Sequence, residues 1–532
     1  MKKIQFGTKS GAMMAFGLVA ILGACSTNHY KENMEIYTQE EAMEMGEASE
    51  AESIASESYA WESEQPTGES YAHTTENRFN DAAASPLSTF SIDVDHASYT
   101  NVRRFLMAGS LPPAGAVRIE EMINYFPYDY EGPKDDQPFA VHTAYGDCPW
   151  NPSHKLLQIG LQGKKLSTEH LPASNLVFLI DVSGSMSDAN KLPLLKRAFK
   201  QLVNNLGSRD RVAMVVYAGA AGLVLPSTSC DNKEAIMDAL DKLEAGGSTA
   251  GGAGIELAYQ VASEHLVADG NNRVILATDG DFNVGVSSED GLVRLIEKKR
   301  EQGVFLTICG FGIGNYQDSD MEAMSNAGNG NYFYIDSYQE AHKVFSKEMQ
   351  ATLFTIAKDV KIQVEFNPKE VQQYRLIGYE NRMLQKEDFN DDKKDAGELG
   401  AGHAVTALYE IVPVGATPEK GNVDPLKYQK TQATRGNDGE LATVKLRYKL
   451  PDGSESKLLT QVVRAEAPSA GMAAELQFAS AVSAFGMVLR KSEYAGNTGF
   501  SDVLEWAKKG VGSDPDGFRL DFIELVELAE GL

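Results

Sequence analysis

Cysteine and basic residues are the scarce components of this 532-residue sequence. Of its four cysteines, only Cys148, Cys230 and Cys309 lie beyond residue 25. Three cysteines allow at most one disulfide bond, and the sequence does not select its pair, so a disulfide-rich scaffold is excluded. The 49 Lys and Arg residues face 75 Asp and Glu, which gives a formal net charge of −26. Because binding to nucleic-acid phosphates needs concentrated positive charge, this composition argues against a nucleic-acid partner.

The motifs of several enzyme classes are also missing. The sequence holds no His-Glu-x-x-His pair, no Gly-x-Ser-x-Gly nucleophile elbow and no Gly-x-x-x-x-Gly-Lys phosphate loop. Asp93 and Asp95 follow a strand-like run, as in magnesium-dependent phosphatases, but Ala97 stands where that family has Thr or Val. We interpret the two aspartates as caps of the helix that follows, and we expect a protein that is not an enzyme.

After the apolar segment near the N-terminus, we expect no segment with the apolar length needed to cross a membrane. Met1–Lys3 is basic, and the apolar segment from Ala12 to Leu22 is too short for a permanent membrane helix but typical of a signal peptide. Small residues then precede Cys25, an arrangement that resembles a bacterial lipobox. The resemblance implies a signal peptide over residues 1–25 and a lipid on Cys25 that attaches the protein to a membrane. An ordinary cleaved signal peptide with a chance cysteine is the alternative.

The segment after this cysteine is strongly acidic. Between Lys31 and Asn80 there are thirteen glutamates, whereas Lys31 and Arg78 are the only basic residues. Large aliphatic residues are few, so the segment cannot bury enough surface to order itself. We therefore predict a disordered, self-repelling tether over residues 26–84 that presents the rest of the chain away from the membrane.

Apolar strands alternate with amphipathic helices from about residue 153 to 345. This alternation predicts an α/β domain with a doubly wound, mainly parallel sheet covered by helices on both faces. Ligands of such sheets gather outside the carboxyl ends of the strands. The predicted strands are His154–Leu161, Leu176–Asp181, Arg211–Ala218, Arg273–Asp279, Val304–Gly310 and Tyr332–Ile335.

The flanking regions show other patterns. Residues 85–152 predict an N-terminal α+β unit with helices at Ser98–Met107 and Arg118–Phe126. Alternating apolar and polar residues predict an antiparallel β domain over residues 346–465. Helical periodicity then predicts a C-terminal helical region over residues 466–532.

Hard oxygen ligands occur where two predicted strands end and in a glycine-rich segment between them. The candidate ligands are Asp181, Ser183, Ser185, Thr249 and Asp279. Carboxylate and hydroxyl oxygens suit Mg²⁺ and offer little to zinc or copper. Residues of these types also cap helices and form turns, but three such segments in this order favour a metal site.

These five residues match the metal-ion-dependent adhesion site (MIDAS) of the von Willebrand factor A (VWA) family, whose pattern is Asp-x-Ser-x-Ser, then Thr, then Asp. Residues 153–345 therefore resemble a VWA domain. The resemblance implies a Rossmann-like fold and a bound Mg²⁺ or Mn²⁺ whose open coordination position takes an Asp or Glu of a protein partner. We interpret Asp281, which follows two residues after the last ligand, as a solvated loop residue or an outer-shell acceptor.

A second resemblance covers most of the chain. Ser91–Asp95 and Val117–Phe126 resemble the N-terminal region of bacterial YfbK-like VWA proteins, and the likeness runs from about residue 85 to the C-terminus. With Cys25, and with Ser26 as in many outer-membrane lipoproteins, it implies a lipid-anchored protein of a Gram-negative cell envelope that binds a partner through its metal. A Mg²⁺-dependent hydrolase and a scaffold with a purely stabilising metal are the alternatives.

Overall fold

Backbone hydrogen bonds divide the strands among three sheets. The computed structural model describes residues 68–167, 171–247, 251–280, 289–314, 316–419 and 439–532. Within these residues the strands are β1 (Asn80–Asp81), β2 (Leu87–Ser91), β3 (Phe139–Asp147), β4 (Lys155–Gly163), β5 (Ser174–Asp181), β6 (Arg211–Tyr217), β7 (Ala221–Ser229), β8 (Asn271–Thr278), β9 (Phe305–Gly310), β10 (Tyr332–Tyr334), β11 (Thr355–Phe366), β12 (Val371–Ile377), β13 (Leu399–Gly400), β14 (Ala404–Pro413), β15 (Glu440–Lys449) and β16 (Lys457–Arg464). The α-helices are α1 (Ala97–Met107), α2 (Ile119–Asn124), α3 (Leu192–Asn205), α4 (Lys233–Asp241), α5 (Gly251–Glu264), α6 (Glu289–Glu301), α7 (Asp318–Ala327), α8 (Tyr338–His342), α9 (Met349–Leu353), α10 (Ala470–Arg490), α11 (Phe500–Gly510) and α12 (Phe518–Glu530).

The first sheet is mainly parallel and has the strand order β10-β9-β8-β5-β6-β7. Only its edge strand β7 is antiparallel to its neighbour. The central strands β5 and β8 are buried along their whole length, which explains their nearly continuous apolar sequence. Alternate residues of β5 pack on opposite sides, Phe178 with Phe199 of α3 and Val177 with Ile255 of α5. The predicted doubly wound α/β fold is confirmed.

The other two sheets are antiparallel and pack face to face as a sandwich. Their strand orders are β1-β12-β14-β4-β3 and β13-β11-β15-β16, and β2 also pairs with β11. Aromatic rings fill the space between them. The ring of Phe366 on β11 stacks on Tyr374 of β12 at 4.1 Å and meets Tyr409 of β14 edge-on at 5.1 Å.

This sandwich is assembled from two parts of the chain that are far apart in sequence. Strands β1–β4 precede the parallel sheet, whereas β11–β16 follow it. Strand β4 lies between β3 and β14, with Ile159 opposite Ala407. The prediction that His154–Leu161 belongs to the parallel sheet is therefore wrong, and that sheet begins at Ser174. An apolar strand shows in its own sequence that it is buried, but it does not show which distant strand completes its hydrogen bonds.

The predicted C-terminal helices are confirmed as α10, α11 and α12. They pack on the predicted N-terminal helices, where the ring of Phe126 lies 5.0 Å from Phe478 and 5.5 Å from Phe522. Among the described residues, α10 alone has the length and apolar composition to cross a membrane, but 72% of its most apolar window is buried in the fold. This burial is what a core helix of a folded domain shows.

Residues 68–79, which we call the strap, lie against the folded body before β1 begins. Glu69 forms an ion pair with Arg104 at 2.8 Å and accepts a hydrogen bond from the backbone N–H of Gly314, also at 2.8 Å. The backbone N–H of Ser70 donates to the carbonyl of Tyr316 at 3.0 Å. Residues 68–84 thus belong to the folded body, whereas composition predicted a tether as far as residue 84. Cys25 lies outside the described residues.

Candidate metal centre

Two neighbouring strands bring the first and last candidate ligands together. Strands β5 and β8 are parallel, with Ile180 opposite Ala277, so the ends of the two strands meet at one edge of the sheet. Asp181 is the last residue of β5, and Asp279 directly follows β8. The hydroxyl of Thr278 lies 3.4 Å from Oδ2 of Asp181. The topology therefore joins two motif segments that are 98 positions apart.

The loop after β5 places the two serines. It turns in a short 3₁₀ helix over Gly184–Ser187, and the buried side chain of Met186 anchors this turn in the core. The backbone N–H of Ser183 donates to Oδ1 of Asp181 at 2.8 Å, and the hydroxyls of Ser183 and Ser185 lie 3.0 Å apart. Ser183 is buried, whereas Ser185 is exposed, so the oxygens face solvent on the Ser185 side.

The glycine-rich segment is fastened to the same loop. Gly246 donates its N–H to the carbonyl of Val182 at 2.7 Å, and Gly184 donates to the carbonyl of Gly247 at 3.1 Å. Gly247 has a φ of +90°, a conformation that favours glycine. Thr249 lies two residues further on, outside the described residues, so its role stays a prediction. Asp281 lies outside them too.

Burial governs the charge of the first carboxylate. Asp181 is fully buried, and this burial raises the pKa of Asp181 to about 6, while the backbone hydrogen bond from Ser183 opposes the shift. The nearby charge of Asp279 also raises it. Asp181 therefore lies buried at the end of its strand and not in a solvent-facing loop. A buried carboxylate with a raised pKa gains most from a cation that restores its charged form.

A lysine that the sequence analysis did not consider completes the site. The Nζ atom of Lys191 lies 2.9 Å from Oδ2 of Asp279, and the lysine side chain is only 5% exposed. We call Asp181, Ser183, Ser185, Asp279 and Lys191 the metal centre. Its oxygens are carboxylates and hydroxyls, which fit a hard cation such as Mg²⁺. No pattern in the sequence pointed to the lysine, because its contact depends on how the loop after β9 folds.

A second group of carboxylates lies elsewhere in the molecule. Ligand oxygens of Asp93, Glu121 and Glu322 lie within 4.8 Å of one another in a buried position. Arg118 pairs with Glu121 and Asp318, and Arg382 pairs with Asp93 at 2.9 Å. We call the residues of this group the junction cluster, and list them as Asp93, Asp95, Arg118, Glu121, Asp318, Glu322 and Arg382.

The junction cluster corrects the interpretation of Asp93 and Asp95 as helix caps. Helix α1 has no side-chain cap from its preceding residue, and a carboxylate oxygen of Glu121 instead accepts from the N–H of Ser98 at 2.7 Å. Oδ1 of Asp95 accepts from the backbone N–H of Tyr332 at 2.8 Å. Burial, with the neighbouring charge of Asp93, raises the pKa of Asp95 to about 8. The sequence showed the pair Asp93 and Asp95, but it did not indicate their partner Arg382, which lies far away in the chain.

The cysteines do not form a disulfide among the described residues. Cys148, Cys230 and Cys309 are all free and buried. Burial raises the pKa of the Cys230 thiol to about 11, so it is protonated at neutral pH. Cys309 is a buried thiol within strand β9.

Sequence models of three families match the chain. One is described as von Willebrand factor type A domain and matches residues 175–347. Another is described as von Willebrand factor and matches residues 65–158. The third is described as uncharacterized protein YfbK, C-terminal, and matches residues 351–532. The three matches follow one another along almost the whole described part of the chain.

One relative matches over a similar length. The chain is 46% identical over 474 residues to the uncharacterized protein YfbK of Escherichia coli (strain K12), which covers 87% of this chain and 81% of that protein. Among solved structures it is similar to a von Willebrand factor type A protein from Catenulispora acidiphila, with 15% identity, 76% and 91% coverage of the two chains and a TM-score of 0.41. It is also similar to proximal thread matrix protein 1 from the mussel byssus with a zinc-occupied MIDAS motif, with 24% identity, 33% and 45% coverage and a TM-score of 0.27.

Proposed function

The chain belongs to the YfbK family of bacterial VWA-domain proteins, and we propose that it binds a divalent cation, Mg²⁺ or Mn²⁺, at the metal centre and binds a partner protein through that cation. VWA domains commonly hold a divalent metal at this site and mediate protein–protein interaction or adhesion. The proposal is for binding rather than catalysis.

The observation that carries the proposal is the meeting of Asp181, Ser183 and Asp279 at one edge of the sheet. Carboxylate and hydroxyl oxygens would hold Mg²⁺ on the protein side, with Thr249 as the predicted ligand from the glycine-rich segment. Exposed Ser185 marks the side from which a partner can approach. When bound, the cation would supply an open coordination position for a carboxylate of the partner.

The acidity of the chain supports a metal-dependent interaction. With a net charge of −26, the protein repels an acidic partner at long range, and a bound cation offers strong local compensation. Salt screens repulsion over roughly 10 Å at 0.1 M, so moderate salt should weaken this complex little or strengthen it. We further propose that a lipid on Cys25 holds the protein in the cell envelope, at the outer membrane of a Gram-negative bacterium.

The test is capture of a partner by the full-length protein from solubilised envelope extract, in Mg²⁺ or in EDTA. We expect retention of a defined protein in Mg²⁺, its loss in EDTA and its loss from the D181N variant. The D188N variant is the matched control, because it makes the same charge change at an exposed position of the same loop. Equal retention by D181N in Mg²⁺, or equal retention in EDTA, would contradict the proposal.

The variant T249A separates a recruiting cation from a purely structural one. The resemblance to the VWA family implies that this threonine is engaged most directly when the ligand is bound, so T249A should weaken partner binding more than Mg²⁺ binding. Both affinities are measured on the same preparation, by calorimetry for Mg²⁺ and by capture for the partner. Equal loss of both affinities would favour a scaffold whose cation only stabilises the fold.

A further inference from the structure

Lys191 reaches the metal centre from the start of helix α3. Its backbone N–H donates to the carbonyl of Asp188 at 3.0 Å, and its own carbonyl accepts from Leu195 at 2.8 Å, so its main chain is fixed. Its Nζ atom ends 2.9 Å from Oδ2 of Asp279. Burying an ammonium group is costly unless a charged partner is present, and this carboxylate is that partner.

The loop after β9 is shaped around the lysine side chain. Gly312 has a φ of +76°, and a Cβ atom at this position would lie 2.2 Å from Cε and 2.5 Å from Cγ of Lys191. The hydroxyl of Tyr334 donates to the carbonyl of Gly312 at 2.6 Å and holds this loop in place. Only glycine leaves room for the lysine here, so the path of the lysine to Asp279 is defined by its surroundings.

The charges at the metal centre make the lysine a competitor of the cation. The ammonium neutralises Asp279, one of the two carboxylates that the proposed cation needs. A divalent cation bound close to Asp279 would also be repelled by the positively charged ammonium group of Lys191, because that group lies beside the same carboxylate. Lys191 therefore opposes cation binding in two ways.

We propose that Lys191 is a built-in counter-ion that stabilises the metal-free state of the site and lowers its affinity for divalent cations. The inference rests on the proposed function, because it concerns the same site. It gives the site two defined states, one held by the lysine and one held by the cation. Cation occupancy, and partner binding with it, then depends on the free Mg²⁺ concentration instead of being permanent.

The test compares Mg²⁺ affinity and thermal stability of the full-length wild-type protein with those of K191M and K191Q. Both variants should bind Mg²⁺ roughly tenfold more tightly or better, because each removes the competing charge. In EDTA both should have a lower Tm than wild type, and Mg²⁺ should raise their Tm by more than it raises that of wild type. K200M is the control, since it removes the charge of a partly exposed lysine on the same helix.

Three outcomes separate the inference from the proposed function. Tighter Mg²⁺ binding by K191M or K191Q, with K200M unchanged, supports the competitor role. If wild type binds Mg²⁺ and both Lys191 variants bind it equally or less tightly, Lys191 positions Asp279 instead, and the inference is overturned while the metal site stands. If neither wild type nor the Lys191 variants bind Mg²⁺, the proposed function itself fails. K191Q retains a polar side chain, so the comparison survives if K191M does not fold.

Discussion

The metal centre and the junction cluster both gather buried carboxylates, yet their counter-charges differ. In the junction cluster, the guanidinium groups of Arg118 and Arg382 contact carboxylates on several sides. At the metal centre, Lys191 contacts Asp279, and Asp181 accepts a hydrogen bond from the backbone N–H of Ser183. A guanidinium presents five donors in a fixed plane, whereas an ammonium is a compact point charge on a flexible stem. The two groups thus differ in the kind of positive side chain that contacts their carboxylates.

The two groups also differ in what they join. The junction cluster links residues before, within and after the parallel sheet, namely Asp93, Glu322 and Arg382. The metal centre lies within that sheet domain, and of its residues only Ser185 is exposed. We therefore expect loss of a charge to disturb folding at the junction cluster, and to disturb cation binding at the metal centre.

The largest expected effect is on folding. Replacing Arg118 by Leu leaves Glu121 and Asp318 as buried charges without their partner, which typically costs about 3–5 kcal/mol of unfolding free energy. Urea denaturation of wild type and R118L measures this loss. The control is K508M, which breaks the exposed pair with Glu527 and should cost less than about 1 kcal/mol. Similar losses in the two variants would show that the junction cluster does not hold the segments together.

The next effect depends on the metal. At a hundredfold excess of Mg²⁺ over its Kd, binding should stabilise the wild-type protein by about 2.7 kcal/mol. D181N should lose this gain but should not be destabilised in EDTA, because burial already disfavours the charged form of Asp181. Thermal unfolding with and without Mg²⁺ measures both quantities, with D188N as control. A large loss of stability of D181N in EDTA would show that Asp181 stabilises the fold without a cation, as the charges of the junction cluster are expected to do.

Another expected effect concerns pH. The raised pKa of Asp95, about 8, exceeds the value of about 3.9 expected in the unfolded chain. The folded protein keeps a proton that the unfolded chain releases, so this contribution to stability is full below about pH 4 and is lost as pH rises to about 8. The urea midpoint should therefore fall less between pH 5 and pH 9 in D95N than in wild type. An equal fall in both proteins would contradict the protonated state of Asp95.

For the last variant, E322Q, we expect no effect on Mg²⁺ binding. E322Q removes a charge from the three carboxylates that could geometrically hold an ion, but Arg118 and Arg382 already lie beside them. Its Mg²⁺ stoichiometry and affinity, measured by calorimetry, should equal those of wild type. Loss of one bound Mg²⁺ per chain in E322Q would show that the junction cluster is a second cation site.

Local sequence patterns predicted the parallel sheet well because its strands and helices are continuous in the chain. Asp181 and Asp279 were placed at strand ends for the same reason, and the structure brings them to one edge. The sandwich was not predicted as one unit, because β2 finds its partner β11 about 270 residues later, with Phe90 opposite Ile362. Alternation within a strand indicates that one face is buried but carries no information about a distant partner.

The residues of the metal centre were also predictable only where a local sequence pattern marks them. The spacing of the candidate oxygen ligands in the sequence identifies them. Lys191 reaches Asp279 only because Gly312, in another loop, leaves room for the lysine side chain. Asp93 and Asp95 attracted attention by their spacing, but their function depends on Arg382, which the sequence places almost 290 residues away. Long-range ion pairs of this kind leave no local signal.

The strap has a mechanical consequence. The chain enters the described body at Gly68, whose carbonyl accepts from the side chain of Gln317, and the next residue holds Gly314 and Arg104. Gly314 is two residues from Gly312, which packs against the side chain of Lys191. Tension applied through the N-terminal segment would therefore load this loop first. If the proposed lipid on Cys25 holds the protein at a membrane, pulling force would reach Lys191 through this loop before it reaches the parallel sheet.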